Sequence, residues 1–265
     1  MIRAIFFDID GTMVSYKNKI MSQQLRDDLF ALQRVGIRIF VCSGRAPQDL
    51  ESTGMLRDVV FDGYITLNGQ CCFNAQGVYR DNPLPLEDLR NAKNVLEAHP
   101  ELAALVEENG MSYLTCHNRR VDEVFEFLHT KQYPVLSAQR MLEGKVYQFI
   151  PLVNQEEEHL FVSVMPGCSY SRWHPLGIDV MSKGEGKADG IRATMAHYGL
   201  SPEETMAFGD GENDLTMMAL VGTSVAMGGA DQRVKALADY VTATVEEEGI
   251  SKALRHFSLL PAESV

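Results

Sequence analysis

Asp8 and Asp10 stand one residue apart in the segment Asp8-Ile9-Asp10-Gly11-Thr12, directly after the apolar run Ile2-Arg3-Ala4-Ile5-Phe6-Phe7. Two carboxylates at this spacing can divide two tasks. One can attack an electrophile such as phosphorus and hold a metal ion, while the other exchanges protons with the leaving group and the incoming water. Gly11 lets the chain turn sharply and come close to a ligand. A calcium loop is excluded: its sixth and twelfth positions require glycine and glutamate, and here they hold Met13 and Lys19.

A second acidic cluster, Gly209-Asp210-Gly211-Glu212-Asn213-Asp214, follows the strand-like run at 205–208. A hard cation such as Mg²⁺ takes oxygen ligands, usually one or two carboxylates with phosphate and water completing the shell. Asp8 and Asp210 would supply the carboxylates, and Asp214 or Asn213 would orient them. Asn213 also reads as the N-cap of a helix over 213–220. The hydroxyl and backbone N–H groups of Ser43-Gly44-Arg45 can hold phosphate oxygens. Lys183-Gly184-Glu185-Gly186-Lys187 offers a cation for a transferring phosphoryl group. It is not a nucleotide-binding P-loop, since Met181 stands where the first glycine would be and Ala188 follows Lys187.

These residues need a scaffold, and the hydrophobic pattern supplies one. Residues 2–7 read as a buried strand and 22–35 as a helix, with Leu25, Leu29, Leu32 and Val35 on one face, Ser22 as N-cap and Gly36 as stop. Strands follow at 37–42 and 63–67. Asp81-Asn82-Pro83-Leu84-Pro85 then breaks the rhythm. The next stretch mixes helices at 86–98, 121–131 and 155–163 with strand-like runs at 112–115 and 147–150. Alternation resumes with helices at 187–198, 213–220 and 231–238 and strands at 205–208, 223–227 and 240–242. The fold class is therefore α/β: a Rossmann-like, doubly wound parallel sheet core with an inserted α+β cap domain. The core is expected over 1–81 and 183–265, and the insert over 82–182.

Among 265 residues, 45% are hydrophobic and 23% charged, the balance of a globular chain. A formal charge of -12 argues against nucleic acid as a partner. An anionic substrate then depends on a metal ion and local cations. The five cysteines form no CxxC pair, so neither a zinc site nor a disulfide framework is expected. No apolar run approaches the roughly 20 residues of a membrane span. The expectation is a cytoplasmic protein with no membrane and no protein partner.

In this order the motifs DIDGT, SGR, KGxxK and GDGEND resemble those of the haloacid dehalogenase (HAD) superfamily. Within it the chain is similar to the Cof-type sugar-phosphate phosphatases, which carry a large α/β cap (class IIB) after the third core strand. The resemblance covers nearly the whole chain, with the cap matching in position and size more than in motif. It implies Asp8 as nucleophile and Mg²⁺ ligand. It implies Asp10 as general acid and base, with its backbone carbonyl on Mg²⁺. Thr12 would support the turn. Ser43, the Gly44 amide and Asn213 would bind the phosphoryl group, and Arg45, which matches the family's common third residue, is grouped with them. Lys187 would steady the phosphoryl group, leaving Lys183 secondary. Asp210 would complete the metal site and Asp214 buttress it. Asn68-Gly69 resembles the family's turn beside the site, which groups Asn68 with the phosphate-binding residues. Met13 stands where leucine is frequent, a change in packing only.

The cap would supply contacts to the leaving group, with His117, Asn118, Arg172, Trp173 and His174 as candidates. The expected reaction is Mg²⁺-dependent hydrolysis of a small phosphorylated metabolite, such as a sugar phosphate, through an aspartyl-phosphate. A phosphomutase or phosphotransferase would share that intermediate. A non-catalytic phospho-receiver or metabolite-binding module fits less well, because its paired acidic residues are usually adjacent rather than spaced D-x-D.

Overall fold

A computed structural model describes residues 1–128, 133–184 and 186–260. Expectations for 129–131, Glu185 and 261–265 lie outside the described residues. The chain forms two compact units, one of Met1–Arg45, Asp49–Asp81 and Glu185–Val265, the other of Ala46–Gln48 and Asn82–Gly184.

The strands are β1 (Ala4–Phe7), β2 (Arg38–Cys42), β3 (Gly63–Thr66), β4 (Cys71–Asn74), β5 (Gly77–Asp81), β6 (Ala104–Glu108), β7 (Met111–Leu114), β8 (Val146–Pro151), β9 (Cys168–His174), β10 (Gly177–Ser182), β11 (Thr205–Gly209), β12 (Thr223–Ala226) and β13 (Tyr240–Val241). The helices are α1 (Gln23–Arg34), α2 (Pro47–Thr53), α3 (Leu86–Ala98), α4 (Arg119–Leu128), α5 (His159–Val162), α6 (Lys187–Tyr198), α7 (Leu215–Met218), α8 (Gln232–Leu237) and α9 (Gly249–His256).

The first unit holds a sheet ordered β13-β12-β11-β1-β2-β3-β4-β5. Its six strands from β13 to β3 pair in parallel. Side chains alternate across each strand. Ile5, Phe7, Ile39, Val41 and Phe208 therefore pack with Leu29 and Leu32 of α1 and Leu254 of α9. Ala4, Phe6, Phe40, Cys42 and Ala207 pack on the other face with Ile191 of α6, Met217 of α7 and Val234 of α8. Both faces are covered, as a doubly wound sheet requires.

The sheet is not wholly parallel. β4 and β5 form an antiparallel hairpin that extends it beyond β3. The Asn74 side chain accepts the Gln76 N–H and tightens the turn. The second unit is built on an antiparallel sheet ordered β7-β6-β8-β10-β9. One face packs with α3 and α5 through Leu89, Ala92 and Phe161. The other packs with α4 through Val121, Val124 and Phe125. Among the described residues no helix is long and apolar enough to cross a membrane.

Candidate active site

Asp8 follows β1 directly, and its N–H donates to the Phe208 carbonyl at 3.0 Å. That bond sets the carboxyl end of β1 beside the end of β11, from which Asp210 and its loop emerge. The central strands being buried and parallel, their carboxyl ends are where such sheets place ligands.

Asp8, Asp210 and Asp214 each offer a carboxylate oxygen, all within 4.8 Å of one another. Gly11 makes this approach possible. Its φ is +81°, and a Cβ there would run into the Asp210 carboxylate. Thr12 donates its hydroxyl to Asp210 Oδ1 at 3.1 Å. Asp214 is fully buried and its oxygens are occupied. Oδ2 accepts the N–H groups of Asp210 and Gly211 at 2.9 and 3.0 Å, which holds the loop. Oδ1 accepts from Lys187 Nζ at 2.6 Å.

Lys187 opens α6, and its ammonium also donates to Asp8 Oδ1 at 2.5 Å. Burial alone would lower its pKa, but the adjacent Asp214 and Asp8 carboxylates more than offset this and raise it. For Asp8 burial dominates instead. Burial pushes its carboxyl well above the usual range, against the pull of Lys187 and with added repulsion from Asp214 and Asp210. Burial and the Asp214 charge push Asp210 up to about 6, opposed by the Thr12 hydrogen bond. Two of the three carboxylates, Asp8 and Asp214, share the Lys187 ammonium, and Asp210 adds further oxygen donors beside them.

Asp10 points elsewhere. Its carboxylate lies outside the trio and is gripped by Arg45, whose Nε and Nη2 donate to Oδ2 and Oδ1 at 2.7 Å each. Its backbone carbonyl accepts the Tyr16 hydroxyl at 3.4 Å. The Tyr16 ring is otherwise exposed. Nothing in the sequence marks Tyr16 beyond its place shortly after the first acidic pair.

Ser43 follows β2, and its hydroxyl accepts the Arg45 N–H at 3.1 Å. Gly44 lies against the Asn68 side chain. Asn68 is buried, and its Oδ1 accepts from Asn213 Nδ2 at 3.1 Å. Asn213 is exposed. It is not the expected N-cap. The expected helix over 213–220 is a 3₁₀ turn, Glu212–Asp214, followed by the single turn of α7, and the cap position falls on Gly211. Leu67, Asn68 and Gly69 are consecutive left-handed residues, with φ of 53°, 52° and 87°. For Leu67 this costs roughly 1–2 kcal/mol.

The structure thus gathers Asp8, Asp210, Asp214, Lys187 and Thr12 in one cluster, and pairs Asp10 with Arg45 and Asn68 with Asn213. Lys183 is exposed and holds the main chain of Gly167.

The candidates named in the inserted unit have partners within it. Arg172 donates to Glu158 and to the carbonyls of Val153, Asn154, His174 and Pro175. Asn118 accepts the Val121 N–H at the start of α4 and donates to the Glu101 carbonyl. His117 faces Asp122 at 3.1 Å. His174 Nδ1 accepts the Leu176 N–H. Trp173 covers Gly177, where a Cβ would meet its ring at 2.9 Å.

Comparison with known proteins gives a consistent result. The family described as haloacid dehalogenase-like hydrolase matches residues 5–254. The chain is 34% identical over 259 residues to the Bacillus subtilis (strain 168) protein named "Putative phosphatase YkrA", covering 97% of this chain and 98% of that one. It is similar to the solved HAD subclass IIB sugar phosphatase BT4131, with 35% identity, a TM-score of 0.82, and coverage of 97% and 100%. The HAD phosphatase BT1666 from Bacteroides thetaiotaomicron aligns with a TM-score of 0.88 at 33% identity, covering 98% and 96%.

Proposed function

Because the chain belongs to the haloacid dehalogenase-like hydrolases and acts on phosphate esters, we propose that it hydrolyses a small phosphorylated metabolite, in the first place a sugar phosphate, using Mg²⁺ and an aspartyl-phosphate on Asp8. The observation that carries this reading is the buried cluster in which Lys187 holds Asp8 at 2.5 Å beside Asp210 and Asp214. An all-oxygen donor set with surplus negative charge suits a hard divalent cation. Asp8, Asp210 and the Asp10 carbonyl would hold it, with Asp214 fixing the loop. Mg²⁺ would supply charge neutralisation at the phosphoryl oxygens.

The protein's own groups account for the rest. Lys187 favours the ionised form of Asp8 and orients it. In the first step an Asp8 oxygen bonds to phosphorus as the bond to the leaving oxygen breaks. Asp10 gives that oxygen its proton, which requires that the Arg45 grip on Asp10 be released. In the second step Asp10 takes a proton from water, the water oxygen bonds to phosphorus, and the bond to Asp8 breaks. Ser43, the Gly44 amide and Asn213 would hold phosphoryl oxygens. The inserted unit would select the leaving group. The sugar-phosphate assignment is supported by the similarity to BT4131, described as a sugar phosphatase. A cytoplasmic location is supported by five free cysteines.

The test is phosphate release from a panel of phosphorylated sugars, nucleotides and cofactors, in Mg²⁺ and in EDTA. Release in Mg²⁺ that EDTA abolishes, with sugar phosphates preferred, is expected. Equal release in EDTA would refute the metal, and a preference for nucleotides would refute the substrate class.

A further inference from the structure

We infer that Asn68 is a positioning residue that acts through Asn213 rather than a direct ligand of the phosphoryl group, an inference that rests on the functional reading above. Exposure separates the two amides. Asn213 is exposed on its loop, whereas Asn68 is 6% exposed. The single side-chain bond between them runs from Asn213 Nδ2 to Asn68 Oδ1 at 3.1 Å, across 145 positions of sequence.

Asn68 is also fixed from behind. Its N–H donates to the Ser43 carbonyl at 3.0 Å, and the Leu67 N–H donates to the Arg45 carbonyl at 3.0 Å. Its amide lies over Gly44, where a Cβ would come within 3.2 Å of both Nδ2 and Oδ1. One buried side chain therefore bridges the turn after β2 and the loop after β11, two of the segments assigned to the phosphoryl group. The left-handed backbone at Leu67 and Asn68 is what aims it. Strained conformations of this kind persist where the surrounding structure over-determines them. An isolated exposed asparagine samples several rotamers, and donating a hydrogen bond to a buried acceptor removes that freedom before the substrate arrives.

The test is a double-mutant cycle. Asn68→Gly removes the side chain and keeps the left-handed backbone accessible. Asn213→Ala removes the other partner. Each single variant is expected to lower kcat/KM for a phosphorylated sugar by about tenfold, and to weaken inhibition by inorganic phosphate in parallel. The double variant should be no worse than Asn213→Ala alone, within about twofold. Multiplied losses would overturn the inference, because a direct phosphate contact or a loosened turn would persist without Asn213. An Asn68→Gly protein with unchanged kcat/KM would overturn it as well. The wild type in the same assay keeps the two readings apart. An inactive wild type refutes the functional reading, and this inference with it, whereas an active wild type with multiplied losses refutes this inference alone.

Discussion

Lys187 survives without solvent because two carboxylates share it. A buried ammonium is costly unless paired, and here Asp8 and Asp214 receive it at 2.5 and 2.6 Å. The pairing binds the proposed nucleophile to the group that fixes the neighbouring loop. Lys187→Met should therefore lose stability as well as activity. Asp8 and Asp214 would remain buried without their ammonium, and a loss of about 3–5 kcal/mol is expected in chemical denaturation. A stability change below about 1 kcal/mol would show that the carboxylates simply take up protons instead. Residue types at this scale were readable in the sequence, since carboxylates at two strand ends and a distant lysine form a recognisable set. Partners were less so. Arg45 holds Asp10 with two hydrogen bonds. Nothing in a Ser-Gly-Arg turn says which carboxylate its guanidinium meets.

Elements were legible where one physical signal dominated. The buried runs of β1, β2 and β11, and the Ser22-capped face of α1, follow from apolar spacing and a hydroxyl that accepts the Leu25 N–H. The β4–β5 hairpin is hard to read because its strands are only four and five residues long and show no clean alternation, with the Asn74-to-Gly77 turn as the one cue. β6 ends in two glutamates that are nonetheless buried, Glu107 and Glu108. Ser112 donates to Glu107 and Arg140 to Glu108, and neither partner is adjacent in sequence. β10 shows a similar conflict. Asp179 is half-buried by exposure, but its carboxyl is packed away from water, which pushes it up to about 6 against hydrogen bonds from Gln148 and Trp173. A carboxyl raised in the folded state binds its proton more tightly there than in the unfolded chain. Its contribution is full below the unfolded value near 3.8 and is lost as the pH rises through about 6. Asp179→Asn, which mimics the protonated form, should thus raise the melting temperature at pH 8 and leave it nearly unchanged at pH 4. Equal shifts at both pH values would remove the burial argument.

At the scale of the molecule, a chain of charge -12 that acts on anionic esters must overcome its own field locally. In the proposed reading the first unit would do so at the carboxyl ends of its parallel strands, where a buried lysine and a cluster of carboxylate oxygens stand together. The two-unit division was visible as a change of rhythm near residue 81, because helix–strand alternation gives way there to a different order of elements. The internal order of the inserted sheet was not visible, since antiparallel neighbours such as β8 and β10 are set by long-range packing rather than local spacing. The measurement that bears most directly on the central claim is phosphate release by Asp8→Asn beside the wild type, in Mg²⁺, with both proteins shown to be folded by their melting curves. The account predicts that the variant folds and loses at least about a thousandfold in kcat. A folded Asp8→Asn protein that turns over at the wild-type rate would contradict it.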